Sequence, residues 1–294
     1  MCGIGGIFVV GDHLLPSAQV EDLFRALDDR GGHASGVAWK WQGSDKVVTF
    51  KAPLTAQELA SRAMAKVGLR VRFVLLHTRY TTQGSTSNNG NNHPIVGHGI
   101  TLTHNGVISN DRQMFREVGV TPLHEVDSEA INAMLGASTP SHMVETLRGS
   151  MSIAWVEGDE DKVNLMTNGR NPLVIGRTVE GHIVWASNLY HLEAFDLESH
   201  FNAEPFKHYT IAKDGVIRST WASDDRRTPT VLGRNSHVAS YGSYDPLTSK
   251  GFTSRRSSTT KKQKKPVRGS KLIQGGWVYD ERNQSWRKAR RGDF

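Results

Sequence analysis

The chain has 294 residues, a net charge of +7 and 37% hydrophobic residues. This length and composition suffice for a substantial hydrophobic core and predict one large domain, or one domain with a tail. A single cysteine excludes a disulfide framework and a zinc site built from several cysteines. No apolar run approaches the roughly 20 residues of a membrane span and no signal peptide is recognisable, so we expect a cytoplasmic protein.

The positive charge is concentrated near the C-terminal end. Residues 250–294 contain 14 Lys and Arg against 3 Asp and Glu, whereas residues 1–249 contain 22 against 26. Residues 234–271 are rich in Ser, Thr and Lys, a composition typical of a disordered linker. Residues 272–294 form a short basic segment, within which 275–280 and 285–288 predict a small hairpin that carries aromatic and basic side chains. The basicity is therefore a property of the tail.

Before the linker, the spacing of apolar residues predicts mixed α and β structure. Residues 3–10 predict a strand, and Ser17 is placed to cap a helix that ends near Gly31. A hairpin of strands is expected over residues 35–50. Thr55 and Glu58 then form a capping box for a helix that ends near residue 67.

Three polar segments follow, and each allows two interpretations. After a strand at 71–76, residues 77–84 place Arg79 among hydroxyl side chains, which suits carboxylate binding or a solvated turn. A strand at 99–103 runs into Asn105-Gly106, which is also the commonest two-residue hairpin turn. Asp127 precedes a helix that runs through residue 135, where capping is the alternative to a binding role.

Cys2 has distinctive chemistry because of its position. Removal of Met1 would make Cys2 the first residue. Its α-amine, with an ordinary pKa of about 7.7 to 8, would then be a general base for its own thiol. The alternative is that this lone cysteine is a small buried hydrophobic residue.

Several motifs occur in order along the chain: Met1-Cys2-Gly3-Ile4, residues 30–36, residues 77–84, His93-Pro94, residues 104–110, and Asp127-Ser128-Glu129. Together they resemble the class II glutamine amidotransferases, which are N-terminal nucleophile (Ntn) hydrolases such as the glutaminase domains of glucosamine-6-phosphate synthase and amidophosphoribosyltransferase. The resemblance predicts such a domain over residues 2–220. It implies an α+β fold of four αββα layers, with two antiparallel sheets between helical layers.

The resemblance also implies catalytic roles. Cys2 would attack the carboxamide of L-glutamine and form a γ-glutamyl thioester, which water hydrolyses to glutamate after ammonia has left. The Asn105 side chain and the Gly106 N–H would stabilise the oxyanion, and one such donor is typically worth about 3 to 4 kcal/mol. No cofactor and no metal is implied.

Substrate and partners follow from the same resemblance. Arg79 would bind the α-carboxylate of glutamine, Asp127 would bind its α-ammonium, and Thr82 would line the pocket. No phosphate-binding loop or dinucleotide fingerprint follows the domain, so we expect a separate synthetase that accepts the ammonia. The basic tail adds an expectation of a nucleic acid or an acidic protein as a further partner.

The chain departs from the family pattern at His33, where Asp is frequent, and at Gln83, where His is frequent. Two alternatives to the glutaminase interpretation remain, and the departures bear on the first of them. One is a stand-alone hydrolase of another γ-glutamyl or linear amide. The other is a non-catalytic Ntn-fold binding module that acts through the basic tail, which retention of Met1 would favour.

Overall fold

The computed structural model describes residues 1–158 and 160–222, together with the backbone of three short strands at 272–273, 277–280 and 285–288. The chain divides into two compact units, Met1–Thr230 and Val231–Phe294. The linker expected at 234–271 lies outside the described residues. Within the described part of the chain, no helix has both the length and the apolar character needed to cross a membrane.

The first unit alternates strands with short helices. Its helices are α1 Ser17–Ala26, α2 Ala56–Val67, α3 Asp111–Val118, α4 Ser128–Ala137 and α5 Pro140–Thr146. Its strands are β1 Gly3–Phe8, β2 Ala34–Trp41, β3 Val47–Ala52, β4 Val71–Arg79, β5 Ile95–Gly97, β6 Ile100–Ile108, β7 Gly149–Glu157, β8 Lys162–Thr167, β9 Val174–Thr178, β10 Ile183–Ala186, β11 Leu197–Asn202, β12 Lys207–Ala212 and β13 Ile217–Trp221. Short 3-10 turns lie at Leu27–Asp29, Asn89–Asn91 and Leu189–Leu192.

These strands form two antiparallel sheets. The seven-stranded sheet has the order β11-β9-β10-β1-β4-β2-β3, and the six-stranded sheet has the order β13-β12-β8-β7-β6-β5. In the second unit, β14 Leu272–Ile273, β15 Trp277–Asp280 and β16 Ser285–Lys288 pair antiparallel. The pairing of β15 with β16 confirms the hairpin predicted there.

Three apolar clusters define the layers of the first unit. One joins α1 and α2 to the seven-stranded sheet and includes Leu23, Leu59 and Val74. A second joins α3, α4 and α5 to the six-stranded sheet. The third, which includes Ile4 and Leu165, fills the space between the sheets. Because successive side chains of a strand point to opposite faces, central strands in this arrangement are buried on both sides. The four-layer αββα fold is confirmed.

Several local expectations hold. Thr55 accepts a hydrogen bond from the backbone N–H of Glu58 and Glu58 bonds back to Thr55, which confirms the capping box of α2. Strands β2 and β3 pair as the expected hairpin. Asp214-Gly215, a residue pair typical of hairpin turns, joins β12 to β13, and Gly215 has a φ of 70° that favours glycine.

Other local expectations are wrong. Ser17 is the first residue of α1 and not its cap, since Pro16 occupies the cap position without a side-chain hydrogen bond. Strand β4 continues to Arg79, so the segment expected to be a loop at residue 77 begins only after the strand. Asn105-Gly106 is no turn: both residues lie inside β6 and pair with β7.

Candidate active site

The candidate site lies where β1 begins and β4 ends. These strands are antiparallel neighbours, and Gly3 pairs with Thr78. The residue before β1, Cys2, therefore lies beside the residues that end and follow β4, namely Arg79 and Tyr80. Pairing within one sheet thus brings together side chains that are 77 and more positions apart in the sequence.

The thiol of Cys2 is held by main-chain groups. The N–H of Tyr80 donates to Sγ at 3.4 Å, and Sγ donates to the carbonyl oxygen of Tyr80 at 3.6 Å. The Arg30 Nε donates to the carbonyl oxygen of Cys2 at 3.0 Å. Burial raises the pKa of the Cys2 thiol, and the hydrogen bond from Tyr80 opposes that rise. A thiol with a raised pKa is mostly protonated at neutral pH, so it needs a base to become a nucleophile.

Cys2 borders a cavity of about 10 Å³, which is space for one water molecule. Five of the six residues singled out in the sequence line it: Cys2, Arg79, Thr82, Gly106 and Asp127. They come from the residue before β1, the end of β4 and the loop after it, the C-terminal part of β6, and the residue before α4. The cavity therefore combines a thiol, a guanidinium and a carboxylate.

Asn105 is the predicted site residue that does not line this cavity. Leu102 and Ile108 of β6 face the helical layer, so Asn105, an odd number of positions away from both, faces the space between the sheets. Ile4 faces the same space, and so does Cys2, two positions before it. Both polar atoms of the Asn105 side-chain amide are buried without a partner among the described residues. Its Nδ2 is a free donor in the layer that Cys2 faces.

Gly106 occupies a position that only glycine can fill. Its φ is 155°, and a Cβ built there would lie 1.9 Å from the carbonyl oxygen of Ser150. A side chain at this position would push β6 away from β7. The backbone of β6 beside the cavity therefore depends on this glycine.

Arg79 is anchored by the polar segment that follows β4. Its Nη1 donates to Asn92 Oδ1 at 2.8 Å, and its Nη2 donates to the carbonyl oxygens of Gln83 and, at 3.0 Å, Gly84. Burial lowers the pKa of Arg79, while Cys2 and Asp127 oppose that shift. The guanidinium is thus fixed at the cavity. Its N–H groups already bind carbonyl oxygens of the loop, and a substrate carboxylate would have to compete with these oxygens for them.

Asp127 does not cap α4 through its side chain. Its Oδ2 accepts the N–H of Ile108 at 2.6 Å, which ties the start of α4 to the end of β6. The side chain is 4% exposed and also lines the cavity. The capping interpretation of this residue is therefore wrong.

The chain is similar to one domain family, to two curated proteins and to one solved structure. The family described as "Glutamine amidotransferase domain" matches residues 77–194. Glutamine--fructose-6-phosphate aminotransferase (isomerizing) of Helicobacter pylori is 27% identical over 201 residues, which are 64% of this chain and 32% of that protein. The same enzyme of Aeropyrum pernix is 32% identical over 190 residues, which are 60% and 30% of the two chains. A solved glutamine phosphoribosylpyrophosphate amidotransferase of B. subtilis has a TM-score of 0.63 at 20% identity, over 76% of this chain and 50% of that one.

The solved structure shares the two-sheet fold, and the family match contains Arg79, Thr82, Asn105, Gly106 and Asp127. The chain carries a class II glutamine amidotransferase domain. It spans about a third of the length of the curated relatives it matches. Cys2 lies outside the matched segment of the amidotransferase domain, and its place in the site rests on the pairing of β1 with β4.

His33, one of the two departures from the family pattern, contacts the loop that covers the thiol. The His33 ring stacks on Tyr80 with 4.8 Å between ring centroids, and His33 Nδ1 accepts the N–H of Thr81 at 3.0 Å. Gln83, the other departure, contributes its carbonyl oxygen to Arg79. Both departures therefore lie in or against the loop after β4, and the contact of Gln83 with Arg79 is made by the main chain and not by the glutamine side chain.

Sequence reasoning missed other residues of the cavity wall, among them Tyr80, His93 and His104. All three belong to motifs that the sequence shows, yet none was assigned a role. Within residues 1–158 and 160–222, no group of three or more His, Cys, Asp or Glu side chains is placed to hold a metal ion.

Proposed function

We propose that the amidotransferase domain hydrolyses L-glutamine to glutamate and ammonia through a thioester on Cys2. The observation that carries this proposal is the shared cavity of Cys2, Gly106, Arg79 and Asp127. These residues provide a nucleophile, a backbone beside the oxyanion position, a cation for the α-carboxylate and a carboxylate for the α-ammonium. A free amino acid with a side-chain amide matches all of these groups.

Removal of Met1 makes the chemistry complete. The α-amine of Cys2 takes the thiol proton as Sγ bonds to the amide carbon, and the oxyanion forms beside the Asn105 side chain and the Gly106 N–H. The C–N bond then breaks, and the ammonia leaves with the proton from the α-ammonium. Water, deprotonated by the same amine, attacks the thioester carbon, the C–S bond breaks, and glutamate and the Cys2 thiol are restored.

Substrate entry requires a movement of the loop after β4. A cavity of about 10 Å³ does not hold a glutamine molecule. Residues 80–84 supply both the main-chain contacts to Cys2 and the carbonyl groups on Arg79. When this loop moves away, the thiol and the guanidinium are released together, so both ends of the substrate site open in one step.

The ammonia is proposed to pass to an acceptor enzyme. The relatives named above are glutamine-dependent amino-group transferring enzymes, and this chain spans only about a third of their length. An acceptor would therefore be a separate synthetase or a further domain. A nucleic acid as partner has no support from the residues described, since residues 234–271 lie outside them.

The test is release of glutamate from glutamine by the full chain, measured beside Cys2→Ala. Wild-type activity that is lost in Cys2→Ala supports the proposal. Activity on other γ-glutamyl or linear amides with none on glutamine favours the stand-alone hydrolase. Retention of Met1 with no activity on any amide favours the binding module.

A further inference from the structure

His93 is a buried side chain at the cavity whose polar atoms have no partner. It is 4% exposed and lines the same cavity as Cys2 and Gly106. Neither Nδ1 nor Nε2 has a hydrogen-bond partner among the described residues. Its ring stacks on that of His77 at 4.0 Å between centroids. Buried polar groups are nearly always hydrogen-bonded, so these two nitrogens would gain from a partner that the described residues do not supply.

The backbone that carries His93 is held from several sides. Lys51 Nζ donates to the carbonyl oxygens of Asn92 at 2.6 Å and of Pro94 at 2.9 Å. A Cβ at Gly36 would lie 2.2 Å from the carbonyl oxygen of His93, so only glycine allows β2 to approach this closely. Such a clamp positions the His93 ring before any ligand arrives.

His93 is a neutral imidazole in this setting. Burial lowers its pKa well below the ordinary value of 6.5, and nearby His77, His104, Lys51 and Arg79 lower it further. A neutral imidazole has one N–H donor and one acceptor nitrogen. Since no protein partner fixes either nitrogen, the tautomer is free to present its acceptor to a ligand.

The amide nitrogen of the substrate is the group that needs such an acceptor. In the proposed reaction, Asn105 and Gly106 satisfy the amide oxygen, while the two N–H donors of the carboxamide enter the site that movement of the loop after β4 opens. We propose that the acceptor nitrogen of His93 receives a hydrogen bond from the leaving amide nitrogen of glutamine, so that His93 is a further substrate-contacting residue. This inference rests on the proposed function. No proton is transferred to His93.

The test compares an amide with an ester that forms the same thioester. Glutamine and γ-glutamyl methyl ester share the acyl group, but the leaving methanol of the ester has no N–H to donate. In His93→Phe, we expect kcat/KM for glutamine to fall about tenfold, the effect of losing one hydrogen bond of ordinary strength, with little change for the ester. His93→Asn keeps an acceptor oxygen and is expected to recover part of the amide activity.

The matched control is His208→Phe. His208 also stacks on an aromatic ring, that of Trp155 at 5.0 Å, but it does not line the cavity. This variant is expected to leave the amide-to-ester ratio unchanged. Both kcat/KM values are measured on the same protein sample, so a loss of active protein through partial unfolding cancels in their ratio. If His93→Phe does not fold, His93→Leu replaces it. Equal loss on both substrates, or no loss on either, overturns the inference, whereas a wild-type protein inactive on both contradicts the proposed function itself.

Discussion

The Cys2 thiol and the main chain of Tyr80 contact each other at two points, with Sγ 3.4 Å from the Tyr80 nitrogen and 3.6 Å from its carbonyl oxygen. The Cys2 thiol is therefore covered by the backbone of the loop that also binds Arg79. A displacement of this loop changes the surroundings of the thiol and of the guanidinium together.

The first prediction concerns the reactivity of the thiol in the chain that retains Met1. Burial raises the pKa of Cys2, so less thiolate is present at a given pH than in an unfolded chain. We expect alkylation by iodoacetamide to reach its half-maximal rate at a higher pH in the folded protein than in urea. Mass spectrometry at timed intervals measures both rates on the same residue, since Cys2 is the only cysteine. Coincident pH profiles would contradict the burial of the thiol.

A second prediction concerns Arg79→Lys. An ammonium cannot offer the α-carboxylate of glutamine the fork of N–H groups that the Arg79 guanidinium carries. We expect KM for glutamine to rise about tenfold or more, the loss typical of a charge-assisted hydrogen bond, with a smaller change in kcat. Steady-state glutaminase kinetics provide the measurement. Arg25→Lys on α1, where the arginine pairs with Glu21, is the control and should leave KM unchanged.

A third prediction tests the connection of the two sheets at Asp161. Lys40 and Arg72 belong to the seven-stranded sheet, with side chains 4% and 2% exposed, and Asp161 precedes β8 of the other sheet. The Lys40 Nζ lies 2.9 Å and the Arg72 Nε lies 3.6 Å from Asp161 oxygens, as ion pairs and not as well-aligned hydrogen bonds. Asp161→Asn should lower the free energy of unfolding by about 3 kcal/mol, at the low end for buried pairs because Asp161 is 33% exposed.

Urea denaturation measures this loss. The same substitution at Asp214, whose partner Arg218 is exposed, is the control and should leave the urea midpoint in place. A change of equal size in the two variants would show that the Asp161 contacts add nothing specific to the association of the sheets.

The lowered pKa of a buried histidine makes the free energy of unfolding depend on pH. Burial lowers the pKa of His77 from 6.5 to about 3, so the unfolded chain binds a proton between these values that the folded chain does not bind. Stability therefore falls as pH drops from about 6.5 towards 3, by up to about 1.4 kcal/mol per pH unit for this residue. Urea midpoints between pH 7.5 and 5 measure the slope. We expect a shallower slope in His77→Gln than in His200→Gln, which removes an exposed histidine.

Local sequence signals account for much of the fold. The capping box of Thr55 and Glu58, the hairpin of β2 with β3 and the turn at Gly215 involve residues that are close in the chain, so short patterns predict them. Asn105-Gly106 shows the limit of such signals. Its local preference for a turn is overridden by the continuous pairing of β6 with β7, a tertiary effect that a two-residue pattern does not contain.

The prediction of the candidate site relied on the ordered set of motifs rather than on any one of them. Cys2, Arg79 and Asp127 lie at one cavity because β1 pairs with β4 and because Asp127 binds the N–H of Ile108. The sequence could not show that the Arg79 guanidinium donates hydrogen bonds to carbonyl groups of the loop. Nor could it show that His93 lacks partners for both of its nitrogens, because unsatisfied atoms arise only from the packing of distant segments.

The most direct test of the account is the intact mass of the purified protein after treatment with a glutamine analogue that alkylates thiols, followed by peptide mapping. We predict a chain that begins at Cys2 and carries one adduct there, with labelling slowed by glutamine and lost in Arg79→Ala. A chain that retains Met1, with Cys2 unlabelled by the analogue, would contradict the central claim that Cys2 is the nucleophile.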